Sequence, residues 1–400
     1  MKKFKIQSNH ILAILFLVFI FFFFFANLHI VGDALRTKPS EIKDASAAKS
    51  EPSVEEVIKS VNALYNTDAY LKYQYINLNG VARVVMDQRT MNDVVKLNNG
   101  YLALPVLNAT KLMEDHAAKT VALYQYLASK GIDFLWAQTP GKICKYDKQL
   151  PESVSDYSNE NIDTYLDILK SNHVPLIDFL EEMKKDKTDY YACFFKTDHH
   201  WTLDTALYAS NKLVKELNRL YDCNIDTHYT DKENYKTISY PSLFLGSLGK
   251  RVGNVYGSTD DFDLLLPKFD TNITLSLPDE KREVKGTFAE TIVRMHQVDK
   301  KDYFNLNPYA VFYGYDHELS IQRNHNMHTA KKVLLVKDSF MLPVSAFLTL
   351  SISELDTIDL RKYTKETLVS YIEREQPDIV VFSLNPSVLV DGEYFNRLGV

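Results

Sequence analysis

Residues 332–340 read Lys-Val-Leu-Leu-Val-Lys-Asp-Ser-Phe. Lys332–Val336 (KVLLV) reads as a buried strand that runs into the polar pair Asp338-Ser339 and then into a helix over Val344–Leu350. The pattern repeats outward on both sides. Downstream, Glu354–Leu360 reads as a strand, Thr364–Glu375 as a helix and Asp378–Leu384 (DIVVFSL) as a strand. Upstream, Thr110–Lys130 carries apolar residues near a 3.6 spacing and ends at Gly131, and Asp133–Thr139 (DFLWAQT) is a strand stopped by Pro140-Gly141. Asn161–Ser171 follows as a helix, His173–Asp178 as a strand and Thr202–Tyr221 as a long helix. Strands alternating with helices predict an α/β fold, a parallel sheet with helices on both faces. Ser339 then lies at the carboxyl end of a parallel strand, where open sheets of this kind bind ligands.

The chain has 400 residues, enough for two domains or one domain with a large insertion, and its 46% hydrophobic and 24% charged content is that of a globular protein. With 46 basic and 52 acidic residues the net charge is -6, so no basic excess exists to neutralise a nucleic acid backbone. Cys144, Cys193 and Cys223 show no Cys-x-x-Cys spacing, which leaves neither a disulfide framework nor a cysteine zinc site. Lys2, Lys3 and Lys5 precede the uncharged run Ile11–Ala26, and the apolar stretch to Val31 is about long enough to cross a ~30 Å hydrocarbon core. Basic residues ahead of such a segment keep the short N-terminus in the cytoplasm and put the rest of the chain outside. A cleaved signal peptide ending near Gly32-Asp33-Ala34 is the other reading; the length of the apolar run favours a retained anchor, hence a single-pass membrane protein.

The expected organisation is a cytoplasmic tip and anchor over residues 1–36 and a tether with short helices over 37–97. The tether spans Thr37–Ser53, a short helix spans Val54–Tyr65, and Asn98-Asn99-Gly100 opens the folded domain. Its first part covers 98–223 and its second 331–400. Between them, 224–330 reads as a β-rich insertion, with clustered turns at Gly246, Gly249, Gly253 and Gly257 and strands at Asn272–Leu277, Ala310–Tyr315 and Glu318–Gln322.

Two stretches carry candidate chemistry. In Thr197-Asp198-His199-His200-Trp201-Thr202, just before the long helix, Asp198 can orient the His200 imidazole and stabilise its protonated form. Thr202 serves as N-cap, and Trp201 reads as packing against the first turn. In the second stretch Ser339 follows the strand, and backbone N–H groups of the next turn could hold an oxyanion; the bland alternative makes Asp338 or Ser339 a helix cap. Asn385, before Pro386, is by itself a turn residue.

Together these features resemble the SGNH hydrolase-like group, specifically the DHHW proteins and the AlgX/AlgJ-type polysaccharide O-acetyltransferases. The resemblance spans most of Asn98–Val400 and rests on Asp198-His199-His200-Trp201, Thr139-Pro140-Gly141-Lys142, Asp338-Ser339-Phe340 and Asp359-Leu360-Arg361. It implies a circularly permuted, flavodoxin-like SGNH sheet in which the Asp-x-His strands precede the nucleophile strand. By the resemblance Ser339 is the nucleophile, His200 the general base, Asp198 the residue orienting it, and Asn385 an oxyanion donor. Lys337 stands where many relatives have glycine, and no clear glycine follows the second strand; Arg361 and the Gly246–Gly249 turn are the candidate substitutes in oxyanion or substrate binding. His199 either supports the site or is exposed.

The implied activity is extracytoplasmic serine-dependent O-acetyl transfer or acetyl-ester hydrolysis on a cell-surface or secreted polysaccharide, with no cofactor and no metal. A polytopic membrane O-acyltransferase is the implied partner delivering the acetyl donor. Two alternatives stay open: a surface-anchored glycan-binding or scaffolding protein with an inactive triad, and a metal-dependent phosphoesterase using Asp198-His199-His200, which needs further aspartates besides the Asp260-Asp261-Phe262-Asp263 cluster of the insertion.

Overall fold

The computed structural model describes residues 8–30, 32, 58, 59, 61, 69–329 and 331–400. The chain divides into two units, Met1–Asn79 and Gly80–Val400. In the first, a helix spans Ser8–Ala26, and the 20 residues Ile11–Ile30 are long and apolar enough to cross a membrane. Most of its side chains from Ile11 to Phe25 are exposed. Asn27 does not end the helical path: its Nδ2 donates to the Phe23 carbonyl at 2.8 Å, and Leu28–Ile30 remain helical. The tether lies outside the described residues, as does most of the Val54–Tyr65 helix.

In the second unit the described residues form a main sheet of eight strands. Their spatial order is Leu176–Asp178, Asp133–Gln138, Ile379–Ser383, Val333–Lys337, Glu354–Ile358, Leu319–Asn324, Ile273–Leu277 and Arg282–Gly286. The first five run parallel and the last three are added antiparallel. Successive residues of a strand point to opposite faces, which divides the core in two. Phe134, Trp136, Leu334, Val336, Val380 and Phe382 pack under the helices Thr110–Ser129, Ser158–Ser171 and Leu368–Glu375. Leu135, Ala137, Val333, Leu335, Ile379 and Val381 face the opposite side, with the helices Leu203–Tyr221 and Leu342–Thr349. A fully buried Leu or Val here contributes ~1.5–3 kcal/mol, so these central strands anchor everything that follows them in the chain.

The 224–330 segment gives three strands to the main sheet, and Tyr235–Phe244 pairs separately with Asp260–Pro267. Three expectations shift. The glycine-rich stretch is a helix, Ser247–Gly257, in which Gly249 leaves no room for a Cβ against Leu245 and Thr197, nor Gly257 against Leu102; Gly253, at φ +79°, kinks it. Residues 310–315 form no strand: Pro308 opens a 3₁₀ turn over Pro308–Val311, and Tyr313 and Gly314 follow in the left-handed region. The second strand is shortened to Leu176–Asp178 because His173, at φ 57°, closes the preceding helix. The strands ending at Gln138, Lys337 and Ser383 are parallel neighbours, so the segments after them, including Ser339 and Asn385, gather at one edge of the sheet.

Candidate active site

Ser339 begins a 3₁₀ turn, Ser339–Met341, that leads into the helix Leu342–Thr349. Asp338 caps this turn: its Oδ1 accepts the Phe340 N–H at 2.8 Å, and its Oδ2 accepts both the N–H and the Nδ2–H of Asn385 at 2.6 Å. The carboxylate thereby laces together the ends of two adjacent strands. Burial pushes the Asp338 carboxyl up, against the opposing effect of Arg361 and these hydrogen bonds. Asn385 in turn caps the Pro386–Leu389 helix, its Oδ1 accepting from Ser387 N at 2.8 Å.

The second stretch is a tight loop whose stem is a bridge between Phe194 and Trp201, with Phe195 N donating to the His200 carbonyl at 3.2 Å. His200 Nδ1 lies 2.5 Å from Asp198 Oδ1, and His200 Nε2 lies 2.8 Å from Ser339 Oγ. Both side chains are nearly inaccessible, at 9% for His200 and 4% for Asp198. Burial acts to raise the Asp198 carboxyl, but the imidazoles of His200 and His199 and the N–H of Ser247 outweigh it and hold Asp198 well below the usual carboxylate range. The carboxylate is ionised, as a residue that orients and charges an imidazole must be.

Aromatic residues fix the imidazole and the serine turn together. Tyr309 stacks on His200, with ring centres 3.9 Å apart, and its hydroxyl donates to the carbonyls of Ser339 at 2.9 Å and Phe340 at 3.1 Å. Trp201 does more than pack on its helix: its indole N–H donates to the Phe340 carbonyl at 2.8 Å, tying the loop to the serine turn.

Several residues that the sequence singled out for other reasons support this site in ways their positions in the chain did not show. Lys142, from the turn after Asp133–Gln138, is buried and donates to the carbonyls of Phe195, Lys196 and Asp198. Asp260 accepts the N–H groups of Lys196 at 2.5 Å and Thr197 at 2.8 Å. Gly246 lies so close to Asp198 that an added Cβ would stand 2.3 Å from the Asp198 Cβ, and Ser247 N donates to Asp198 Oδ2 at 2.5 Å. The Gly246–Gly249 turn therefore cradles the carboxylate, where an oxyanion role was expected. His199 Nδ1 meets Ser247 Oγ at 2.9 Å, and desolvation together with the neighbouring His200 pushes its half-buried imidazole down.

A cavity of about 260 Å³ opens beside Phe340 and is lined by Pro140, Lys142, His199, Arg251 and Asn385 among others. Arg361 does not line it: Nε and the terminal nitrogen grip Asp359 at 2.9 and 2.6 Å, and Asp316 lies 3.7 Å away. Arg361, expected in oxyanion or substrate binding, thus lies in an ion pair with Asp359. Lys337, in place of the expected glycine, is buried against Asp316 at 2.7 Å. Among the described residues, Asp198, His199 and His200 are a group whose ligand atoms approach within 4.8 Å. Each of the three already has a hydrogen-bond partner in the site, and Asp260, the nearest acid of the insertion cluster, is spent on the loop backbone.

A parallel sheet thus carries a serine, an Asp-x-His loop and an asparagine at its carboxyl edge. Residues 103–253 match the family model described as ALGX, the SGNH hydrolase-like domain of acetyltransferase AlgX. This segment holds the Asp198-His199-His200-Trp201 motif. No curated protein matches the sequence. Among solved structures, Bacillus cereus PatB1 is similar over 77% of this chain and 98% of its own, at 20% identity and a TM-score of 0.63, and its sulfonyl adduct matches equally. A DHHW family protein from Eubacterium siraeum is similar over 76% of this chain and 94% of its own, at 17% identity and a TM-score of 0.57. At these identities the likeness is one of fold.

Proposed function

We propose that this chain is a serine-dependent O-acetyltransferase or acetylesterase acting on a cell-surface or secreted polysaccharide through an acetyl-serine intermediate. The observation that carries the reading is the continuous chain of hydrogen bonds Ser339–His200–Asp198, whose chain neighbours His199 and Phe340 line a cavity. Ser339 Oγ attacks the acetyl carbonyl while His200 Nε2 takes its proton; the tetrahedral adduct collapses, and the same proton passes to the departing donor oxygen. An acceptor hydroxyl, or water, then gives its proton to His200 and attacks the acetyl-serine, and the proton returns to Ser339. Asn385, with one amide hydrogen held by Asp338, has a second hydrogen for the oxyanion.

The match to an acetyltransferase family model supports acetyl as the transferred group, and the sulfonyl adduct of the PatB1 structure supports a reactive nucleophile in this fold. The apolar helix over Ile11–Ile30 supports an anchored enzyme whose catalytic unit lies outside the membrane; a polytopic acyltransferase as the acetyl source is what the family resemblance implies. The test is mass spectrometry of the full chain after exposure to a sulfonyl fluoride or to a small activated acetyl ester. The expected adduct is on Ser339 and is missing from Ser339→Ala. An unmodified Ser339, or an adduct that survives Ser339→Ala, would overturn the reading.

A further inference from the structure

Backbone holds the tip of the loop that presents Asp198 only in part: Leu102 N donates to the Lys196 carbonyl at 2.9 Å and Gly249 N to the Thr197 carbonyl at 2.8 Å. The remaining buried backbone groups need other partners and find them in two opposite charges. Carbonyls of Phe195, Lys196 and Asp198 converge on Lys142 Nζ at 2.6, 3.0 and 2.6 Å, and an ammonium has three donors, so three carbonyls use them all. The N–H groups of Lys196 and Thr197 and the Thr197 hydroxyl turn instead to Asp260, at 2.5, 2.8 and 2.5 Å. The loop's peptide dipoles thus lie between a cation and an anion. Lys142 itself stands four residues beyond Gln138, the end of a central strand, so the clamp is fixed to the sheet.

We propose that Lys142 is a positioning residue for acetyl transfer: its three hydrogen bonds hold the loop backbone so that the Asp198 carboxylate meets His200, and they do so only while the amine is protonated. The proposal rests on the reading of Ser339 as the nucleophile. Loss of the proton leaves two donors for three carbonyls and removes the positive charge that stands near Asp198 and Asp260. Burial pushes the Lys142 amine down to about 7, with Asp260 and then Asp198 working against it, so the proton is at issue near neutral pH. Those two carboxylates face the amine. His199 from the loop lies within range of its charge, and the Tyr101 ring lies 5.3 Å from Nζ and 6.0 Å from Lys196 Nζ.

The experiment uses the full chain and two readouts. The first is the far-downfield proton resonance of the His200 Nδ1–H bound to Asp198, assigned by its loss in Asp198→Asn and read with no substrate present. The second is the rate at which a small activated acetyl ester modifies Ser339 as a function of pH. In Lys142→Met, which keeps the side-chain length without charge or donors, the resonance moves upfield or vanishes. The acetylation rate drops by about 10²-fold, the scale of a small misplacement of reacting groups. In the wild type the rate falls as pH rises through the Lys142 titration. Asp260→Asn keeps an oxygen acceptor but removes the charge that supports the ammonium, so that fall moves to lower pH. An unchanged resonance and rate in Lys142→Met would overturn the proposal, and where that variant does not fold, an unmoved pH limb in Asp260→Asn would do the same. A wild type whose Ser339 is never modified fails the functional reading instead, and the resonance still decides whether Lys142 orders the pair.

Discussion

Asp198 and Asp338 are both buried and both lie within two residues of a proposed catalytic group, yet their hydrogen bonds give them different tasks. Asp198 spends one oxygen on the His200 ring and is held ionised; Asp338 spends both on main-chain and amide donors of the strand ends. Asp198→Asn is therefore expected to lower Ser339 acetylation by ~10³-fold or more, since an amide can neither select the imidazole tautomer nor balance its charge. Asp338→Asn turns an N–H toward donors that previously met an oxygen, and a loss of ~1–3 kcal/mol in folding stability is expected, with a milder effect on acetylation. Urea unfolding and acetylation kinetics on the two variants separate these roles. Equal kinetic damage from both would mean that the acid beside the serine shares the work.

At the scale of elements, the strands Asp133–Gln138, Val333–Lys337 and Ile379–Ser383 could be read from the sequence because each is a continuous apolar run bounded by polar or turn residues. The same runs fixed where Ser339 and Asn385 emerge. The supports of the loop were not legible, since each acts on backbone far away in the chain: Lys142 reaches carbonyls 53 to 56 residues on, and Ser247 reaches a carboxylate 49 residues back. Apolar periodicity has no term for such pairings. The helix Ser247–Gly257 was hidden for a related reason, its glycines being demanded by what they touch. Gly246→Ala tests this contact between elements. With its Cβ 2.3 Å from that of Asp198, the alanine must displace the loop, and Ser339 acetylation should drop by about 10²-fold while far-UV dichroism is retained. Wild-type kinetics in Gly246→Ala would show that the cradle is not needed.

The whole molecule adds a proton linkage and an apolar helix long enough to cross a membrane. His116 is fully buried, stacks on Phe395 at 4.0 Å and has Nδ1 2.8 Å from the Leu389 carbonyl; burial pushes its imidazole down. Its folded state refuses a proton that the unfolded chain accepts below a pH of about 6.5, so His116 costs stability as pH falls through that value. Thermal melts at pH 7.5 and 5.5 should show a smaller drop for His116→Phe than for wild type; equal drops would remove the linkage. The Ile11–Ile30 helix is expected to keep the chain in the membrane fraction through alkaline carbonate washing, with N-terminal sequencing giving an uncleaved start. A mature form beginning near Leu35 would refute the anchor. The order of the sheet bears on how such a chain is made. Asp133–Gln138 pairs with Ile379–Ser383, so more than 240 residues must leave the ribosome before that edge finds its neighbour. Pairing so distant in sequence is slow to nucleate, and a nascent chain without its closing strand has little to fold around. If the proposed anchor exports the catalytic unit, such a delay would keep the chain unfolded for threading until the last central strand has crossed.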